Sequence, residues 1–475
     1  MRTPPLPLTV RVVVRVVTEA LGAAVPAAPG AVLVVTPPPT PNGPLHVGHL
    51  SGPYVAGDIA VRALRADGRR VVAQSGLDAH QNYVLARAEA LGEAVTDTAA
   101  RYQALICTAL DAARIRYDIM ADPLADEGYR STVAGLLTEL VEAKAVEIAP
   151  VSLRACSACH RVLHHVRVTG TCPVCGAGAA GGTCEGCGGF CTGETLVGAR
   201  STCCSAAPEP VTHTIPVLRL AEHRERLAEF WSRAVLPPRL RRLVGSYLDG
   251  ALPDVPLAYP TDWGIEWDDG LRIDVWAEMA LANLVMPARH LRPDADSLAG
   301  YLDAWQGIDE QWIFLGVDNA FYYAVLIPAL HLAAGLPDRP TGLVVNEFYR
   351  LTGSKFSTSR QHAIWADEFL SSEDPAVVRA FVSWDRPDSY ESDFRPEAYQ
   401  AFKTRYAAAL DGNVPALDAA LADIELTRGE QALRPEHFDP ATAVRAALTA
   451  YRSSPERAAR LLGLIGGTLP AESGG

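Results

Sequence analysis

The sequence predicts an α/β fold: a parallel sheet in two halves, separated by a cysteine-rich insertion and followed by a short helical segment. Three observations carry this expectation. An apolar run ("AVLVVT", 31–36), a stretch with helical spacing and a second apolar run ("RRVVAQSG", 69–76) follow one another closely near the start of the chain. Nine of the ten cysteines fall between 156 and 204. Beyond them, buried-strand patterns return in "LRIDVW" (271–276), "QWIFLGVDN" (311–319) and "TGLVVNEF" (341–348).

The first run is short, β-branched and ended by Pro37, Pro38 and Pro39, which suits a buried strand better than a helix. Leu50, Tyr54, Val61 and Leu64 then recur at helical spacing, and Asp67-Gly68 makes a stop. Strand, helix and strand in this order form a βαβ unit, hence a parallel pair with a right-handed crossover and a ligand site at the carboxyl ends of the strands. The predicted first half of the sheet domain spans 31–121, after an extension over 1–30. The insertion, 122–260, holds the cysteines, the Gly-rich "CGAGAAGGTCEGCGG" and Pro-rich edges. The second half covers 261–345, a loop region around a lone lysine covers 346–395, and Ala- and Leu-rich amphipathic helices fill 396–475.

With 475 residues, 49% of them hydrophobic, the chain can bury a large core without disulfides. No apolar run approaches the roughly 20 residues of a membrane span, and the N-terminal stretch lacks a signal-cleavage pattern; a cytoplasmic protein without a membrane partner is expected. The net charge of −13 argues against gripping nucleic acid with the whole surface. Only Lys144, Lys355 and Lys403 stand beside 39 arginines. A lysine kept where arginine is the default points to use of its compact charge, and Lys355 lies in the flexible composition "GSKFSTS" (353–359).

In "PNGPLHVGH" (41–49), Gly43 and Gly48 clear space for a nucleotide. His46 and His49, three apart at a helix start, share a face from which imidazole N–H groups can reach phosphate oxygens. Asp78, just after the second strand, places a carboxylate at the strand ends, where it can pair with a cationic group of a substrate. Cysteine clustering points to metal rather than disulfides. Cys156-x-x-Cys159 with Cys172-x-x-Cys175 reads as a tetrahedral structural zinc knuckle. A second would begin at Cys184-x-x-Cys187; its other pair, Cys203 and Cys204, is adjacent, so that site would use one of the two, borrow Cys191, or stay empty. His160, His164 and His165 read as polar surface residues.

The two signatures together resemble the His-Ile-Gly-His and Lys-Met-Ser-Lys-Ser pair of class I aminoacyl-tRNA synthetases. "GLDAH" (76–80), "FLGVDN" (314–319) and "KFSTSRQHAIWADEFL" (355–370) extend the likeness to the archaeal-like methionyl group over roughly 31–395. The resemblance implies a Rossmann-type catalytic sheet and activation of an amino acid by ATP with Mg²⁺. It implies that His46, His49 and Lys355 are catalytic and that Asn42, Gly43, Gly48, Asp318, Ser357 and Ser359 contact ATP. Thr358 stands where the family's second loop lysine falls, and Thr261 where it usually has Arg.

By the same resemblance the amino-acid pocket comprises Pro38, Thr40, Asp78, Trp276, Met279, Asn283, Asn319 and Tyr323. Only Asp78 and Trp276 match the family there, and a threonine, two asparagines and a tyrosine suit a polar side chain better than a thioether. The tail lacks the family's full anticodon-binding domain: over 401–475 eight Lys/Arg face nine Asp/Glu, a poor surface for RNA phosphates. The leading reading is a stand-alone paralog that activates an amino acid other than methionine and passes it to an amine, a carrier protein or a tRNA acceptor end. The alternatives are a compact methionyl-tRNA synthetase and an inactive protein that binds an amino acid or ATP.

Overall fold

A computed structural model of the chain describes residues 30–268, 270–356 and 362–468. The extension over 1–29, together with Ser357, Thr358 and Ser359, lies outside these residues. The central sheet has five strands, all parallel: β1 (Ala31–Val35), β2 (Val71–Gly76), β3 (Ile119–Ala121), then, after the insertion, β6 (Ile308–Gly316) and β7 (Thr341–Asn346). Two further strands, β4 (Glu147–Cys156) and β5 (Pro208–Arg219), form the insertion's stem. The spatial order is β7-β6-β1-β2-β3. The chain runs outward from β1 through β2 and β3 and later returns to add β6 on the other side, so the crevice at the carboxyl ends of β1 and β6 is the switch point where such sheets bind ligands.

All five residues of β1 are buried, and their alternation divides them between two cores. Ala31, Leu33 and Val35 face the apolar layer of helix α2 (Val275–Leu291), whereas Val32 and Val34 face Ala56, Ala60 and Leu64 of helix α1 (Val55–Ala66). A strand covered on both faces needs no polar positions, which is why the sequence reads as a continuous apolar run. Between the first signature and α1 the helix widens over Leu50–Tyr54, where Gly52 and Pro53 interrupt it. Helix α1 stops at Asp67, followed by Gly68 at φ 78°.

Two sequence expectations are corrected here. "LRIDVW" does not resume the main sheet: Leu271–Ile273 pairs antiparallel in a separate three-stranded sheet. The residues after it, "VWAEMALAN", are the first turns of α2, because Asp274 accepts from the Trp276 backbone N–H at 3.0 Å and caps a helix there. The insertion is also narrower than 122–260. Helices Glu127–Glu142, Arg224–Arg233 and Pro238–Asp249 bury Leu136, Leu137, Leu227, Trp231, Leu240 and Val244 in the main core. What projects is the antiparallel ribbon of β4 and β5 with the cysteine-bearing segment at its tip.

The tail is more than a remnant. Helices α3 (Pro375–Trp384), α4 (Pro396–Leu410), α5 (Ala419–Gln431), α6 (Pro440–Ala450) and α7 (Pro455–Gly466) form one core with Leu45, Val47, Leu50 and Ile59 of the first signature region. Arg379 of α3, fully buried, fastens them together. It donates to Asp58 of α1 at 2.6 Å, to the Ala113 carbonyl at 2.8 Å and to the Ile465 carbonyl of α7 at 2.7 Å. Asp58 also accepts from Arg62 at 2.7 Å, so one buried carboxylate oxygen serves two buried guanidiniums.

Candidate active site

The segment after β1 turns into a short helix at Val47–His49. The His46 backbone N–H donates to His49 Nδ1 at 3.0 Å. Burial lowers the His49 pKa to about 4, so its ring is neutral near pH 7. With Nδ1 accepting, its proton sits on Nε2, a donor rather than a base. The two imidazoles stack with centroids 3.8 Å apart, and Phe356 stacks on His46 at 4.6 Å. Gly48 is required by this stack: a Cβ there would come within 2.9 Å of His46 Nδ1 and 3.3 Å of the Phe356 ring.

Phe356 links the two signatures. A hairpin pairs Tyr349–Leu351 with Ser354–Lys355, turning through Thr352 at φ 48° and Gly353 at φ 84°. Phe356 follows Lys355 directly and, nearly buried, packs on the first signature. On the far side of the lysine loop, the Val47 N–H donates to the Ile364 carbonyl at 3.0 Å and the Ala366 N–H to the Leu45 carbonyl at 2.8 Å. The loop is thus anchored to the histidine segment at both ends, and the backbone of Lys355 belongs to the same site.

A cleft of about 920 Å³ opens over the carboxyl ends of the strands. Its lining includes Pro38, Thr40, Asn42, Gly43, His46, Gly48, His49, Asp78, Trp276, Met279, Asp318 and Asn319. Asn283 and Tyr323 lie deeper, outside this lining. Asp78 is buried and accepts from the Thr40 hydroxyl at 2.7 Å, while its Oδ1 has no hydrogen-bond partner among the described residues. Burial, reinforced by Glu278 and Asp274 and only partly offset by Thr40, pushes its carboxyl well above the usual range. A buried carboxylate with one free oxygen at a cleft wall is a receptor for a cation.

The polar pocket residues are partly spent on one another. Thr40 is bound to Asp78, Asn319 donates to Asp318 at 3.4 Å, and Asn283 Oδ1 accepts from Gln74 Nε2 at 2.7 Å. Three groups absent from the sequence expectation form a buried network outside the cleft lining: Glu278 accepts from His80 Nδ1 at 2.9 Å and from the Tyr129 hydroxyl at 3.0 Å. No sequence signal marked this triad, whose members stand on three separate elements.

The insertion folds back over the cleft, lining it with His165, Gly181, Thr183, Glu185 and Arg200. His165 is therefore a buried cleft residue rather than a surface one, and His164 is half-buried. His165 Nε2 lies 2.6 Å from Asp274 Oδ2. Burial alone would raise the Asp274 carboxyl; His165 outweighs it and holds the group below the usual range. His164 stacks on Tyr259 at 4.5 Å, and burial lowers its pKa to about 3. His160 alone is exposed. Gly182, at φ 106°, admits the Tyr322 hydroxyl, which a Cβ would meet at 2.6 Å, and Tyr322 in turn stacks on Trp276 at 3.5 Å.

The cysteines form two sets of four, each with its Sγ atoms within 4.8 Å of one another. The sets are nested rather than sequential: Cys156, Cys159, Cys203 and Cys204 form one, Cys172, Cys175, Cys184 and Cys187 the other. The expected pairing of Cys156/Cys159 with Cys172/Cys175 is corrected by the ribbon, whose register sets Cys156 opposite Pro208 and so delivers Cys203 and Cys204 to its tip. Cys191 belongs to neither set. Four thiols in a compact group fit a structural zinc with no open position.

Residues 32–414 match the family of tRNA synthetases class I (M). The chain belongs to this family. Among curated class I relatives, methionine-tRNA ligase of Dehalococcoides mccartyi is 29% identical over 371 residues, covering 75% of this chain and 65% of the relative. That of Porphyromonas gingivalis is 29% identical over 437 residues, 89% of this chain and 61% of the relative. That of Thermococcus kodakarensis is 29% identical over 422 residues, 80% and 54%. The chain thus spans about 65% or less of the length of the curated relatives it matches. The fold matches Mycobacterium tuberculosis methionyl-tRNA synthetase in complex with methionyl-adenylate, with a TM-score of 0.67 at 20% identity over 92% of this chain and 88% of that one. Among the described residues, no helix is long and apolar enough to cross a membrane.

Proposed function

We propose that the chain is an ATP-dependent ligase that activates an amino acid as its aminoacyl-adenylate. One observation carries this: the Asp78 carboxylate, with an unpartnered oxygen, and the stacked His46–His49 pair line a single cleft. Asp78 holds the α-ammonium, which directs the amino-acid carboxylate toward the α-phosphate of ATP, bound as its Mg²⁺ complex. A carboxylate oxygen attacks the α-phosphorus, the bond from that phosphorus to the bridging oxygen breaks, and pyrophosphate leaves with the electron pair. No proton need move, so catalysis is positioning and charge stabilisation.

His49, neutral and protonated on Nε2, and His46 donate to the phosphate oxygens as charge builds. Lys355, carried in by the hairpin, neutralises pyrophosphate. Asn42, Gly43, Gly48, Asp318, Ser357 and Ser359 contact ATP. Two zinc ions, one in each cysteine set, would hold the insertion in shape; their chemistry is structural.

A compact methionyl-tRNA synthetase is the reading favoured by the relatives, each a methionine-tRNA ligase. Transfer to an amine, a carrier protein or a tRNA acceptor end remains the alternative for the second step, suggested by the acidic balance of the tail. Amino-acid-dependent exchange of labelled pyrophosphate into ATP tests the first step. Exchange should appear with the cognate amino acid and fall about 100-fold to 1,000-fold in His46→Ala. Full exchange in that variant would remove the histidines from the mechanism.

A further inference from the structure

The His46 imidazole is packed on both faces. His49 lies against it with centroids 3.8 Å apart and an interplanar angle of 22°, Phe356 with centroids 4.6 Å apart and an angle of 15°. Two rings so nearly parallel to His46 cannot share one face at these distances, so each covers its own. The column continues behind Phe356. Tyr349 stacks on it at 6.1 Å, and the Tyr349 hydroxyl donates to Asp385 Oδ2 at 2.7 Å. Asp385, which ends helix α3 of the tail, accepts from the Ser392 hydroxyl at 2.7 Å through its other oxygen. Phe356 is 6% exposed and Tyr349 4%, and both border the cleft. An imidazole has no sharply preferred χ2, so the direction of its ring edge is set by what packs on its faces. His46 Nδ1 is buried on the side of Gly48, which leaves the Nε2 edge for the cleft.

We propose that Phe356 is a positioning residue for adenylate formation: its ring, backed by Tyr349 and Asp385, holds the His46 imidazole edge-on to the cleft. The inference rests on the adenylation reading, in which His46 donates to phosphate oxygens. A donor already aimed where charge develops needs no reorganisation at that moment, whereas an imidazole free to turn must first be fixed. Phe356 has no polar side-chain atom, so it acts through the ring it covers. An aliphatic side chain would fill the same space without a plane to lie against, so position 356 supplies an aromatic face and not burial alone. Through Asp385 the column also ties α3 of the tail to the histidine, ring to ring rather than along the backbone.

The test is pyrophosphate exchange by the full-length chain carrying Phe356→Leu, Phe356→Met or Phe356→Tyr. The two variants without a ring should lose about tenfold to 100-fold in kcat and keep the amino-acid KM, which Asp78 sets. Phe356→Tyr keeps the ring and should recover most of that loss. In a His46→Ala background Phe356→Leu should cost less than about threefold, because the group it positions is gone. Phe356→Met decides where Phe356→Leu fails to fold. Full kcat without the ring, equal loss in all three variants, or an undiminished cost of Phe356→Leu beside His46→Ala would overturn this inference and leave adenylation standing. Absence of exchange by the wild-type chain with every amino acid would overturn the adenylation reading, and this inference with it.

Discussion

Asp78 shows what a single residue contributes. Its free oxygen needs a cation, and without one burial holds the carboxyl well above its ordinary range. Asp78→Asn should raise the amino-acid KM about 100-fold, with a smaller change in kcat, since a desolvated charge pair is worth roughly 2–5 kcal/mol; an unchanged KM in steady-state exchange would refute the assignment. The pH dependence has a definite sign. Only the ionised carboxylate attracts the ammonium, so the amino-acid KM should rise as pH falls through the Asp78 pKa, beginning above the pH at which an exposed aspartate titrates. The position of Asp78 after a strand was legible in the sequence. Its neighbours' roles were not: Thr40 pairs with it across 38 positions and Asn283 with Gln74 across 209, and no local pattern records such pairings.

At the scale of elements, the insertion separates what spacing reveals from what topology decides. Cys-x-x-Cys pairs are visible because one thiol pair needs one tight turn. Which pairs share a metal depends on the β4–β5 register, which brings positions some fifty residues apart side by side. The purified chain should carry two zinc ions, measured by elemental analysis, and Cys204→Ser should lose one while the inner set keeps its own. Loss of both together would contradict the nested arrangement. The same folding back places Thr183 and Glu185, flanking Cys184, on the cleft. "LRIDVW" was misleading for a different reason: it opens an apolar stretch buried all round, which fits strand or helix, and the Asp274 cap decides for helix from Val275 onward.

Across the whole molecule, the parallel sheet and its central signatures were legible because strands buried on both faces and glycine-rich turns leave strong local patterns. The union of the tail with the sheet domain was not, because it depends on Arg379 reaching Asp58, Ala113 and Ile465 from three distant segments. Arg379→Met should destabilise the chain by about 3–5 kcal/mol, because the Ala113 and Ile465 carbonyls lose this buried charged donor and Asp58 keeps only Arg62; an unchanged urea-unfolding midpoint would show that the tail is held elsewhere. The first signature packs in the same core, so the tail also supports the histidines. The central claim is that the cleft makes an aminoacyl-adenylate. Incubating the chain with ATP, Mg²⁺, pyrophosphatase and mixed amino acids, then identifying the protein-bound small molecule by mass spectrometry, tests it directly. About one aminoacyl-AMP per chain, absent in Asp78→Asn, is the expected result; recovery of ATP or ADP alone would contradict adenylation in this cleft.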